Sequence, residues 1–151
     1  MIVQFTLREQ YVLGGQYTWR LKESELRFRG EGQFKGLVNQ RIPAGDDRVS
    51  EFVDALNLLE VWKWRSDFSP SELGWEVLDG SAWWFSAICG ALQVECGGEN
   101  AYPSFADPSL PSTSRGRFAC LSAALYACFD IDTYIHIAAH QRRMGTENDK
   151  G

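Results

Sequence analysis

The sequence predicts an α+β domain in which an antiparallel sheet of about five or six strands carries two helices on one face. Several short segments alternate apolar and polar residues as half-buried strands do, whereas residues 46–62 and 114–129 space their apolar residues as helices do. Hydrophobic residues make up 44% of the 151 and aromatic residues 13%, which is enough for one large core. We therefore expect a single domain over residues 1–143 and a flexible C-terminal tail over residues 144–151.

The N-terminal region is predicted to form three strands. Residues 2–7 alternate in polarity, and after a pair of glycines residues 17–22 do the same. A turn at residues 23–24 then leads into residues 26–29, which completes a hairpin. The loop that follows, residues 30–45, has room for one further short strand at residues 36–39.

Three arginines, Arg20, Arg27 and Arg29, fall on the outer positions of this hairpin. Such a group could bind an anion. Charged outer positions are also ordinary on an antiparallel sheet that has one face in water. The solvated face is the favoured interpretation.

The most regular helical pattern begins at Asp46 or Asp47, either of which can cap the first turn, and continues to Trp62. A second helix is predicted to start near Ser114 and to end near Phe129. The segment over residues 130–143 has both strand-like alternation and a helical end, and a helix is favoured there.

Between the two helices, residues 75–96 are predicted to form a three-stranded antiparallel unit with a tight Gly-Ala hairpin turn. Successive residues of a strand point to opposite faces, so Trp83 and Trp84 are expected on opposite sides of the sheet. One of them is then available on the side away from the helices. The three strands cover residues 75–80, 83–89 and 92–96.

The charge is unevenly distributed along the chain. Residues 1–45 carry a net charge of +3, residues 46–110 of −9 and residues 111–151 of +1, which gives the total of −5. An acidic middle segment repels phosphate backbones, so we expect no direct nucleic-acid binding, whereas a basic surface on a protein partner would be attracted. A purely solubilising acidic face is the plainer alternative.

The cysteines, Cys89, Cys96, Cys120 and Cys128, form no close pair of the kind that binds structural zinc. Their apolar neighbours predict small buried residues with reduced thiols. The first residues lack the pattern of a signal peptide, and no apolar run is long enough for a membrane span, so a cytoplasmic setting without membrane contact is expected.

Few residues suggest catalysis. His136 and His140 are four apart, but the sequence around them lacks the Glu and the third ligand of a metalloprotease site. Glu76, Asp79, Glu95 and Glu99 could in principle work as acid–base pairs. Nothing in their spacing shows that they converge, so we predict no catalytic residue, no metal and no cofactor.

An Asp-Gly-x-x-Trp sequence at residues 79–83 precedes a Gly-Glu-Asn-Ala-Tyr-Pro sequence at residues 98–103. Both follow a helix with a Phe-x-x-x-Leu pattern and then a Val-Trp-Lys-Trp sequence at residues 61–64. In these features residues 15–130 resemble a broad group of small bacterial domains, some of which resemble immunity proteins carried beside toxin genes. The resemblance implies an α+β fold and a toxin as a partner. The motif around Tyr102 is interpreted as structural, because a buried ring there would hold the crossover against the sheet.

The sequence therefore favours a non-enzymatic protein-binding inhibitor of the immunity type, which occludes a toxin or effector. Its expected binding residues are Glu76, Glu95, Glu99 and Trp84, which combine acidic charge with an aromatic anchor. Two alternatives remain. One is a small metal-dependent hydrolase or nuclease that uses acidic residues. The other is a phage or mobile-element antagonist of a host defence protein.

Overall fold

The computed structural model describes residues 3–11, 15–32, 40–68 and 81–134. Three helices are present in these residues, together with one 3₁₀ turn at Val61–Lys63. The helices are α1 (Asp46–Leu58), α2 (Gly116–Cys128) and α3 (Ile131–Tyr134). The strands are β1 (Val3–Tyr11), β2 (Gly15–Lys22), β3 (Glu25–Gly32), β4 (Gln40–Pro43), β5 (Ser81–Cys89), β6 (Leu92–Glu99), β7 (Tyr102–Pro103) and β8 (Pro111–Ser112).

Six of the strands form one antiparallel sheet in the order β4-β3-β2-β1-β5-β6. Its inner face carries the aromatic and aliphatic core, and both long helices pack there. Phe52 of α1 meets Phe5 edge-on with ring centres 4.7 Å apart, and Phe118 of α2 lies 4.9 Å from the ring of Trp83. The predicted α+β fold, with two helices on one face of a six-stranded sheet, is confirmed.

The structure differs from the expected elements at three places. Helix α1 ends at Leu58 rather than at Trp62, because Glu60 adopts a left-handed conformation with φ of 54° that an α-helix cannot continue through. Strand β5 pairs with β1 as well as with β6, so the two described strands of the unit predicted for residues 75–96 join the main sheet through β1, a pairing that was not predicted from the sequence. Residues 40–43, expected to be a loop, form the edge strand β4.

The predicted strands at residues 36–39 and 75–80 lie outside the described residues. Of the predicted helix over residues 130–143, only α3 falls within them, and the tail over residues 144–151 does not. In the part of the chain that the structure describes, no helix is long and apolar enough to cross a membrane.

The Gly-Glu-Asn-Ala-Tyr-Pro segment has a structural role, as predicted. Asn100 makes a turn with φ of 53°, and the carbonyl oxygen of Ala101 accepts a 2.8 Å hydrogen bond from the indole N–H of Trp83. The buried ring of Tyr102 then stacks on Trp83 at 6.2 Å and 12°. Because Trp83 sits at the centre of the core, these contacts fix the crossover from β6 to α2 onto the sheet.

Arg117 joins three segments below this crossover. Its buried guanidinium donates hydrogen bonds to the carbonyl oxygens of Leu59, Ser104 and Phe105 at 2.7, 2.9 and 2.6 Å. The Leu59 carbonyl is one of those that a helix leaves without a partner at its C-terminal end. Arg117 thus ties the end of α1 and the crossover to α2.

The cysteines are less uniform than predicted. Cys89 and Cys96 are buried in the sheet, but Cys120 is exposed and Cys128 is half-buried. The expectation of four buried thiols was therefore wrong for Cys120. Its neighbours in the sequence are apolar, but its position on α2 points away from the stripe that contains Leu121 and Leu125.

We predict that Gly98→Ala destabilises the fold by about 1–3 kcal/mol, because overpacking forces a backbone to move. A Cβ at Gly98 would lie 2.7 Å from the carbonyl oxygen of Ala101 and 2.8 Å from that of Phe68. Gly45→Ala is the matched control, since nothing lies within 4 Å of its added Cβ. Urea unfolding of both variants measures the difference. Equal stabilities of the two variants would show that the close approach at Gly98 does not matter.

We also predict that Ellman's reagent modifies Cys120 rapidly at mildly alkaline pH and spares Cys96 until the chain unfolds. Burial raises the pKa of Cys96 to about 12, well above the roughly 8.5 of a free cysteine, so the reactive thiolate is scarce in the folded protein. The stabilising effect of the neutral Cys96 thiol is complete below the unfolded pKa. It is lost as the pH rises towards the folded value. Cys120→Ser should remove the fast phase, and a fast phase that survives this substitution would contradict the prediction.

Candidate functional site

The outer face of the sheet carries a tryptophan and two acidic residues that were predicted from the sequence to bind a partner. Trp84 of β5 lies beside Gly97 of β6, and Glu95 and Glu99 flank Gly97 on the same face. We call Trp84, Glu95 and Glu99 the Trp84 edge. The structure thus brings three of the four predicted binding residues onto one surface, whereas Glu76 lies outside the described residues.

The position of Trp84 is set by the alternation of strand β5 and by the glycine opposite it on β6. Trp83 is 4% exposed and Trp84 is 40% exposed, as the alternation of a strand requires. A Cβ added at Gly97 would lie 3.3 Å from the Trp84 indole, so the indole ring occupies the space left by the missing side chain. Grooves of about 460 and 190 Å³ border Trp84 on its two sides, the larger lined also by Asp67 and Glu99.

A row of arginines occupies the other half of the outer face. Arg20 of β2 stands directly opposite Arg27 of β3, and Arg27 stands directly opposite Arg41 of β4. We call these three residues the arginine row. Cβ atoms at such positions are about 4.5–5.5 Å apart, and like charges there repel each other.

Few carboxylates neutralise this row. Arg27 forms an exposed ion pair with Glu25 at 3.1 Å. Among the described residues, no carboxylate forms an ion pair with Arg20 or Arg41. Further cations stand on the same face at Arg8, Lys22 and Arg29, as the registers of β1, β2 and β3 require.

The negative charge of the middle segment is divided between the two sides of the molecule. Four of its acidic residues lie on α1, on the helix side, whereas Glu95 and Glu99 lie on the outer face and Asp67 lines the larger groove beside Trp84. The outer face therefore carries both signs of charge. The arginine row lies on β2–β4 with Glu25 and Glu31 beside it, and the Trp84 edge lies on β5–β6, where Arg8 of β1 stands opposite Trp84. The four acidic residues of α1 are Asp46, Asp47, Glu51 and Asp54.

A buried carboxylate, which the sequence reasoning missed, lies on the inner face at Glu9. One of its oxygens accepts a hydrogen bond from the hydroxyl of Tyr17, and the other accepts one from Arg115 at 3.0 Å. Burial, and secondarily the nearby Glu9 charge, raises the pKa of Tyr17 far above its usual range. The signal in the sequence was a glutamate at an inward position of β1.

The Glu9 cluster is a structural one rather than an acid–base site. Both carboxylate oxygens are engaged, and Arg115 lies 5.3 Å from the ring centre of Tyr102. The bond from Arg115 to Glu9 therefore fastens the segment before α2 to strand β1. No groove among those described reaches Glu9.

The remaining candidates for catalysis do not come together. Glu95 and Glu99 are four residues apart on one strand, which separates their Cα atoms by about 13 Å. Side chains on one face of a strand project in parallel, so these two carboxyl groups do not approach each other as the pair in a glycoside hydrolase does, at about 5–9.5 Å. Within the described ranges, no group of three or more metal-binding side chains is present. Asp79, His136 and His140 lie outside those ranges.

Comparisons with known proteins found no family model and no curated protein that matches this chain.

We predict that Arg20→Thr stabilises the protein by about 0.2–1 kcal/mol at low salt, because it removes a like-charge neighbour of Arg27 and introduces a residue that favours strands. The gain should shrink as added salt screens the repulsion. Lys22→Thr is the matched control on the same strand. Lys22 stands opposite Glu25, so its loss removes an attraction. Thermal unfolding at low and high salt measures the stability of both variants. A destabilised Arg20→Thr variant would show that Arg20 stabilises the fold and would contradict the prediction.

Proposed function

We propose that the chain is a non-enzymatic protein-binding inhibitor, most simply an immunity-type protein that occludes a toxin or effector in the cytoplasm. The observation that carries the proposal is the Trp84 edge, where an exposed indole between two grooves is flanked by Glu95 and Glu99. Partly exposed aromatic residues in such surroundings are the usual anchors of protein interfaces.

Ile88 extends this surface along β5. It is 39% exposed and lies on the same face as Trp84, about 13 Å away along the strand. Two apolar side chains at this spacing give a partner two points of contact. The acidic residues beside them supply orientation and faster association with a basic surface.

The two alternatives differ in what supports them. A phage or mobile-element antagonist of a host defence protein would use the same surface on another partner, so the geometry favours neither over the other. For a metal-dependent hydrolase or nuclease, the separation of Glu95 from Glu99 offers no support. We therefore propose the binder.

We predict that co-expression with the product of the adjacent gene yields a complex in which Trp84→Ala raises the dissociation constant about thirtyfold or more, as expected for an anchor residue. Charge reversal at Glu95 and Glu99 should chiefly slow association, by an amount that added salt reduces. Surface plasmon resonance on the purified proteins measures both effects.

Two control variants make this experiment specific. Leu58→Ala removes an apolar side chain that is 84% exposed on α1, and Glu51→Lys reverses an exposed charge on the same helix. Both lie on the helix side and should bind normally. The proposal fails if the adjacent-gene product does not bind, or if the control variants weaken the complex as much as Trp84→Ala does.

A further inference from the structure

We infer that the arginine row binds an acidic patch on the partner protein, so that the partner is recognised by two opposite charges rather than by basic charge alone. This inference rests on the proposed function, because it concerns the same outer face and the same partner. It adds to the Trp84 edge a second contact of opposite sign, formed by Arg20, Arg27 and Arg41.

The arrangement of the arginine row itself points to an anionic partner. Three arginines in directly opposite positions on neighbouring strands repel each other in the free protein. Only Arg27 has an ion-pair partner among the described residues, and that pair is exposed and therefore weak. Carboxylates of a partner placed over the row would relieve this repulsion. Binding would also give Arg20 and Arg41 the ion pairs that they lack among the described residues.

The distance between strands sets how far apart the charged groups of the partner must be. Cross-strand pairing places Arg41, Arg27, Arg20, Thr6, Ser86 and Glu95 in one line across all six strands. Strands are about 4.8 Å apart, so Glu95 and Arg27 are separated by roughly 19 Å. A fitting partner carries acidic and basic groups at a matching distance.

A groove of about 530 Å³ connects the two charged parts of the outer face. Its cationic wall is formed by Arg20 and Lys22, and the opposite wall includes Ile88 and Glu95. The short side chain of Thr6 lies between them on β1. A protruding segment of the partner with an acidic side chain directed towards β2 would fill this groove.

The same face is poorly suited to nucleic acid. Single-stranded chains are usually held by aromatic side chains next to the basic groups, and the described aromatic residues of β1–β3 lie on the inner-face register. The exposed Trp84 of this face stands opposite Arg8 and between Glu95 and Glu99, away from the arginine row. Glu95 and Glu99 would also repel a phosphate backbone that extended beyond the row. Carboxylates on a folded protein meet the arginine row without approaching these two residues.

The arginine row can be tested with the full chain and three labelled probes of equal length: an oligo-glutamate peptide, an oligo-glutamine peptide and an oligothymidylate. Fluorescence anisotropy at low salt should show binding of the oligo-glutamate alone. Arg20→Glu combined with Arg41→Glu should weaken it about tenfold. Lys63→Glu, which reverses an exposed charge on the helix side, should change the affinity less than about twofold.

Three results would overturn the inference. The first is no binding of oligo-glutamate, or binding that the row variants leave intact. The second is tighter binding of oligothymidylate, which would assign the row to phosphate. The third is a dimer of the chain in sedimentation that Arg20→Glu dissociates, which would assign the row to a second copy. Arg20→Thr with Arg41→Thr repeats the test without introducing negative charge, should the reversed variants fail to fold.

The complex with the adjacent-gene product separates this inference from the proposed function. If both the row variants and Glu95→Lys weaken the complex, both ideas hold. If only Trp84→Ala and Glu95→Lys weaken it, the proposed function stands and the inference is overturned. If no complex forms although oligo-glutamate binds through the row, the proposed function fails and the anion specificity of the row remains.

Discussion

The two-residue period of strand β5 is the constraint on which the rest of the structure depends. It sends Trp83 into the core, where the indole bonds the Ala101 carbonyl oxygen at 2.8 Å and packs on Phe118, and it sends Trp84 to the outer face. A slip of one residue would exchange the two side chains and lose the core. The register that anchors the helices therefore also fixes the exposed indole of the Trp84 edge.

Local patterns predicted most of the elements, but not how distant segments meet. The alternation of β1–β3 and the helical spacing of α1 and α2 are properties of neighbouring residues, so the sequence displays them directly. The insertion of β5 between β1 and β6 is a long-range pairing that no local period encodes. The same limit explains Glu9, whose buried carboxylate accepts a hydrogen bond from Arg115, a residue 106 positions away in the chain.

Some residues of the candidate site could likewise be placed from local sequence pattern, and others could not. That Trp84 faces away from Trp83 follows from strand geometry, and Arg20 and Arg27 could be placed on an outer face for the same reason. Arg41 could not be placed there, because its segment has the composition of a loop and forms a strand only by pairing with β3. The total charge of −5 also hides the arginine row, since averages over a chain do not show what folding places side by side.

The residues of the inner face and those of the outer face therefore contribute very differently to the stability of the fold. On β2, the inner residues Trp19 and Leu21 are almost fully buried, and each such side chain contributes about 1.5–3 kcal/mol to folding. A like-charge pair on the outer face costs about 0.2–1 kcal/mol. The inner face thus decides the strand pairing by a wide margin, and the outer face is free to carry charges that folding alone would not select. A row of adjacent arginines is the kind of local violation expected where binding, rather than folding, sets the choice of residues.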